Sequence, residues 1–175
     1  MRSGRTERPA GLLRRSALAF VVGVFSFAVS TSAVAGASLT AKGPNPCKLL
    51  KRAEIERVLG QPTAAGKKGL TTAVSKTCLY AVSAGNDQPD GEVSTHVQTV
   101  GAKSAYDANS KRPGTERVTG IAKTYYDPRT GAMTTLAGNL LLTVQSVFIA
   151  IDGGVGAVDR KDETAALMKI AKKRL

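Results

Sequence analysis

IAKTYYDPRTGAMTTLAGNLLLTVQSVFIAI, residues 121–151, decides the fold. Two turn sequences, Asp127-Pro128-Arg129-Thr130-Gly131 and Gly138-Asn139, cut this stretch into three runs. The runs are rich in Thr, Tyr, Val and Leu, and the last, residues 140–151, is long and apolar. Pro presets φ and Gly supplies positive φ, so these are tight reversals between strands, and strands joined by tight reversals pair antiparallel.

Working outward, Val93, Thr95, Val97 and Thr99 alternate with Ser94, His96, Gln98 and Val100, the period of a half-buried strand. Residues 71–82 read as another strand, carrying Cys78 and Tyr80, after a loop over 63–70. Gly85-Asn86-Asp87 through Gly91 is the turn between them, and a short, weakly patterned helix covers residues 102–110. At the front, Asn45 caps a turn with Pro46 at its first position, and a helix carrying Ile55, Val58 and Leu59 on one side runs to Gly60. At the back, Leu167, Ile170, Ala171 and Leu175 share one side of a helix that Asp159 or Asp162 caps, with Lys169, Lys172 and Lys173 on the other. Helix, strands, helix is an α+β order: an antiparallel β-sheet meander with an N-terminal and a C-terminal helix packed on one face.

The first 35 residues read as an address. Arg2, Arg5, Arg8, Arg14 and Arg15 face one acid, Glu7; residues 17–29 are apolar apart from Gly23 and Ser26; Ala33-Val34-Ala35 then offers small residues where a signal peptidase reads them. This order describes a signal peptide over 1–35, with the mature chain starting at Gly36 or a residue or two later. The competing reading is an uncleaved anchor, which the small, hydroxylated second half of the segment disfavours. Arg14-Arg15 lacks the bulky apolar residues of a twin-arginine signal, and no cysteine follows the cleavage site to take a lipid. Residues 36–45 form a flexible lead-in, and a single domain occupies 46–175.

The chain has 175 residues, with 25 Lys and Arg against 13 Asp and Glu. The signal segment takes five arginines and one glutamate with it, so 20 basic residues face 12 acidic ones and the mature charge is +8. Two cysteines and one histidine cannot complete a structural zinc site of four soft ligands, so zinc-finger functions are excluded. Outside the cytoplasm Cys47 and Cys78 form the one available intrachain disulfide, the alternative being two buried thiols.

Asn45-Pro46-Cys47-Lys48-Leu49-Leu50, Ala53-Glu54-Ile55, Val58-Leu59-Gly60 and Cys78-Leu79-Tyr80 together resemble a family of exported actinobacterial proteins, many of them lipoproteins, known only as a domain of unknown function. Val118-Thr119-Gly120-Ile121, Tyr125-Tyr126 and Gly138-Asn139 fit the family's later hairpin pattern. The resemblance spans most of residues 46–175. It departs at the missing lipoprotein cysteine and at Lys51, which stands where the family places a helix-capping hydroxyl. It brings no catalytic residues and no cofactor.

Chemistry read directly from the residues is sparse. His96 is the only imidazole and lies on the polar side of its strand with Ser94 and Gln98, with no spacing that selects a serine and a carboxylate to work with it. Gly154-Val155-Gly156-Ala157-Val158-Asp159 lacks the third glycine and the βαβ setting of a dinucleotide loop and reads as a connector. Gly60 to Lys68 misses P-loop spacing and its hydroxyl, leaving a basic loop. Asp87, Asp90 and Glu92 lack the full spacing and the closing carboxylate of a calcium loop and read as a solvated turn, weak calcium binding being the alternative. No metal site follows from these residues.

Charge remains. Lys48, Lys51, Arg52, Lys67 and Lys68 form one basic group, and Arg160, Lys161, Lys169, Lys172, Lys173 and Arg174 another. Thin aromatic interleaving and export speak against nucleic acid, which leaves anionic envelope polymers or lipid headgroups as partners for the stripe Lys169, Lys172 and Lys173. A solvated basic face with no ligand is the plain alternative. The sequence therefore points to a non-enzymatic, exported, envelope-associated binding or structural module with no transmembrane span after processing. A secreted inhibitor or other partner-binding protein, and a small hydrolase, are the other classes.

Overall fold

The computed structural model describes residues 43–83, 90–148 and 159–175. The signal segment with Ala33, Ala35 and Gly36, most of the lead-in, the turn at 84–89, the end of the long apolar run after Phe148 and the connector through Val158 lie outside the described residues.

The α+β class is present, with seven strands in one antiparallel sheet. These are β1 (Lys67–Thr71), β2 (Ser75–Val82), β3 (Gly91–Gln98), β4 (Glu116–Arg117), β5 (Thr124–Asp127), β6 (Ala132–Ala137) and β7 (Leu140–Phe148). Their order across the sheet is β1-β2-β3-β7-β6-β5-β4. Two meanders are thus fused through β3 and β7, which pair from Gly91 with Phe148 to Gln98 with Leu141. Between the meanders the chain passes through α2 (Ala102–Asn109), restarts at the far edge with β4 and works inward.

Both turn sequences reverse the chain as their chemistry requires. Thr130 N–H donates to the Asp127 carbonyl at 3.2 Å, and Gly131 (φ +66°) and Gly138 (φ +57°) take the left-handed conformation. β1 occupies the end of the expected 63–70 loop and takes Thr71 with it, so the strand expected over 71–82 starts at Ser75; β4, two residues long, lies in a stretch to which the sequence assigned no element. β1 is the outer edge of the sheet. Its lysines, its glycine and a register break between Lys68 and Thr71 suit an edge that must not recruit another strand. Thr72 makes the turn into β2, its hydroxyl accepting from the N–H groups of Val74 and Ser75.

The terminal helices share one face of the sheet. A 3₁₀ turn (Pro46–Lys48), α1 (Arg52–Leu59) and α3 (Lys161–Lys172) bring Leu49, Leu50, Ile55, Leu59, Leu167, Met168 and Ala171 against Val93, Val97, Leu142, Val144 and Phe148. The opposite face is covered at one end by α2, where Ala102, Ala105 and Tyr106 pack on Leu136 and Leu141.

The N-terminal segment is irregular at Leu49-Leu50-Lys51, so its carbonyls need donors from elsewhere. Distant side chains supply them. Thr95 Oγ1 donates to the Pro46 carbonyl at 3.1 Å, Tyr80 Oη to that of Leu50 at 2.9 Å and Arg174 Nη1 to that of Leu49 at 2.8 Å. Arg174 also forks onto the Glu54 carboxylate. Glu54 Oε2 accepts the Lys51 N–H at 2.8 Å, which is half a capping box; an ammonium cannot accept the returning bond. Gly60 (φ +69°) ends α1.

α3 is rotated from its expected setting. Its buried residues are Thr164, Leu167, Met168 and Ala171; Ile170 is half-buried and Leu175 exposed. The helix stops at Lys172 and the chain turns so that Arg174 reaches Glu54, which carries Leu175 past the sheet contact. Asp159, rather than Asp162, serves its start, accepting from Lys161 N–H and from Tyr126 Oη, both at 3.1 Å.

Two buried hydroxyls in this interface, Ser146 Oγ and Thr164 Oγ1, have no hydrogen-bond partner among the described residues. A buried orphan hydroxyl is unfavourable, and valine has the shape of threonine. Thr164→Val is expected to raise the free energy of urea unfolding by about 1 kcal/mol; a loss of that size would show that the hydroxyl is bonded.

Candidate functional site

Cys47 and Cys78 are joined, tying the 3₁₀ turn to β2 across a sequence separation of 31. A cross-link closing a loop of this size stabilises a fold by about 3–4 kcal/mol in the chain-entropy model. Among the described residues no helix is long and apolar enough to cross a membrane.

The expected lysine stripe divides. Lys169 and Lys173 are exposed, whereas Lys172 is half-buried and donates from Nζ to the Ala122 carbonyl at 2.8 Å. That carbonyl also receives the Thr124 hydroxyl. Lys172 is therefore built into the loop between β4 and β5 and has its charge only partly available to solvent.

His96 lies on the sheet face away from α1 and α3, in register with Thr77 on β2 and Thr143 on β7. No carboxylate stands across from it, and burial without a compensating anion holds its pKa below the ordinary 6.5. Among the described residues no three His, Cys, Asp or Glu side chains gather as a metal site.

Carboxylates are largely engaged internally. Glu54, Glu56, Asp107, Glu116, Asp127 and Glu163 form ion pairs with Arg174, Arg52, Lys103, Lys161, Arg129 and Arg160. Hydrogen bonds from the partner cations are the largest cause holding Glu54, Glu56, Asp107 and Asp127 below their usual carboxylate range. Lys48, Lys51, Arg57, Lys67, Lys68, Lys76, Lys111, Arg112, Arg117, Lys123, Lys169 and Lys173 have no ion-pair partner among the described residues, so the positive excess is spread over these side chains, Arg117, Lys123, Lys169 and Lys173 among them.

Two of the larger hollows receive such cations. One, of about 220 Å³, lies at the sheet edge, lined by Asn45, Pro46, Lys68, Thr71 and Lys76. The other, of about 600 Å³, lies between α2 and residues 118–124. Its walls include Tyr106, Ile121, Leu136, Arg117 and Lys123. Arg117 is near enough to Tyr106 to oppose the upward push of burial on that hydroxyl's pKa. Lys123 is the one non-glycine residue with positive φ (+50°) among those described. Its carbonyl accepts from Leu136 N–H at 3.0 Å and from the Thr135 hydroxyl at 3.2 Å, which holds the strained backbone in place.

Arg117, Lys123 and Tyr106 carry no periodic signal of their own. The sequence marks the site only through Val118-Thr119-Gly120-Ile121, which forms its outer wall; Gly120 at φ +77° permits the turn. No family model, curated protein or solved structure matches the chain.

The setting of His96 has a measurable consequence. A histidine pKa lowered by folding means that the unfolded chain binds the extra proton first, so its contribution to stability is lost as pH falls through the unfolded value near 6.5 and below. NMR titration of His96 is expected to give a midpoint under 6.5, and His96→Gln to flatten stability between that pH and the native midpoint. A midpoint at or above 6.5 would mean that an anion faces the ring.

Proposed function

We propose that this chain is an exported, non-enzymatic module that holds to the anionic surface of the cell envelope through its own basic surface. The observation that carries this reading is the distribution of charge: among the described residues six carboxylates are held in ion pairs within the fold, and Lys169, Lys173, Lys123 and Arg117 have no acidic partner. Like charges left unneutralised on one molecule repel each other and favour a polyanion. Export is supported by the signal-like first 35 residues and is compatible with the disulfide. The motif resemblance to exported actinobacterial proteins points the same way.

Cosedimentation of the mature protein with washed envelopes from its host tests the proposal. Each exposed lysine contributes modestly near an anionic surface and is screened over about 8 Å at physiological salt, so retention is expected to fall steeply between about 0.05 and 0.5 M salt. Lys169→Glu with Lys173→Glu is expected to weaken retention by about tenfold or more, with Lys172 left intact because it holds the Ala122 loop. Retention indifferent to salt and to both reversals would overturn the reading.

A further inference from the structure

We propose that the groove between α2 and residues 118–124 is a seat for one anionic phospholipid, its phosphate between Arg117 and Lys123 and its glycerol and first acyl carbons on Ile121, Leu136 and the Tyr106 ring. The proposal deepens the envelope reading and rests on it. A purely solvated basic face needs no cavity. Here a hollow of about 600 Å³ joins apolar walls to two cations without acidic partners, the pairing that an amphiphilic anion requires and a bare ion does not.

The third cation of the groove, Lys103, is occupied by Asp107 at 2.6 Å, so the free positive charge is confined to the side formed by Arg117 and Lys123. That side is fixed rather than pliable. Arg117 lies on β4, in register with Tyr125, whose ring packs 5.6 Å from that of Tyr106. Lys123 is held in its left-handed conformation by bonds from β6 to its own carbonyl, and the loop is pinned from behind by Lys172. With the backbone held in advance, only the side chains of the charged pair have to be ordered on binding. The exposed Lys169 lies on α3, against the other face of the sheet, and does not line the groove.

The test uses the mature protein and dihexanoyl-phosphatidylglycerol below its micellar concentration, followed by amide chemical shifts, with inorganic phosphate as a second probe. Shifts are expected at 102–109 and 118–124. Arg117→Glu with Lys123→Glu should weaken the lipid by about tenfold or more. Ala122→Trp, which fills the groove from an exposed position and leaves both charges in place, should do the same; Lys169→Glu with Lys173→Glu should change it by less than about threefold, those lysines lying outside the groove. Each variant's circular dichroism and unfolding midpoint confirm that it is folded. Inorganic phosphate binding as tightly as the lipid, with Ala122→Trp silent, would overturn the lipid assignment in favour of a free-anion site. Lipid shifts that avoid the groove, or that survive both groove variants, would overturn the site itself. Vesicles of phosphatidylcholine with about 30% phosphatidylglycerol separate the two levels: retention lost on Lys169 and Lys173 reversal but kept in the groove variants sinks the groove and leaves the envelope reading, whereas wild-type protein retained neither on these vesicles nor on envelopes sinks both.

Discussion

The interaction on which the rest of the structure depends is the seating of the irregular segment around Leu49-Leu50 on the sheet. Its side chains are apolar and buried, so its backbone is drawn from water, and the carbonyls of Pro46, Leu49 and Leu50 must be answered inside the protein. Thr95 from β3, Tyr80 from β2 and Arg174 from the end of the chain answer them. The disulfide holds the same segment covalently. Because Arg174 also binds Glu54, the two terminal helices close over one face of the sheet as a unit, and neither end of the domain can leave without orphaning groups of the other.

That closure reaches the candidate site through α3. The turn that takes Arg174 to Glu54 also sets the last helical turn, whose Lys172 pins the Ala122 carbonyl. The loop so fixed is the wall that displays Lys123 and follows Arg117. Residues packed on one face of the sheet thus shape a groove on the other. The covalent and ionic contacts at the N-terminus and the cationic groove are parts of one arrangement.

How far the sequence reveals this follows from the range of each interaction. The β5–β6–β7 reversals were legible because their turns are written locally in Pro128, Gly131 and Gly138. β3 was legible from its alternation, and the disulfide from elimination once export was read. β1 and β4 were not, since short edge strands pair through backbone alone and need no side-chain pattern. The pairing of β3 with β7 joins strands about fifty residues apart and leaves no local trace. The rotation of α3 depends on Arg174, which looks like any surface arginine until Glu54, 120 residues away, is placed beside it. The same holds for the site: Lys169 and Lys173 could be found on a helical wheel, whereas Arg117, Lys123 and Tyr106 come from three segments that only the sheet brings together.

The N-terminal segment belongs to the cooperative core, through the donors to its carbonyls and its disulfide. Native-state hydrogen exchange of the Ile55, Val58 and Leu59 amides, followed against those of Val93 and Val97 with increasing denaturant, tests it most directly. If the segment is locked by its side-chain donors and its disulfide, both sets exchange only through global unfolding, with the same free energy and the same denaturant slope. Exchange of the α1 amides at a clearly lower free energy, through a local opening that leaves β3 protected, would contradict it.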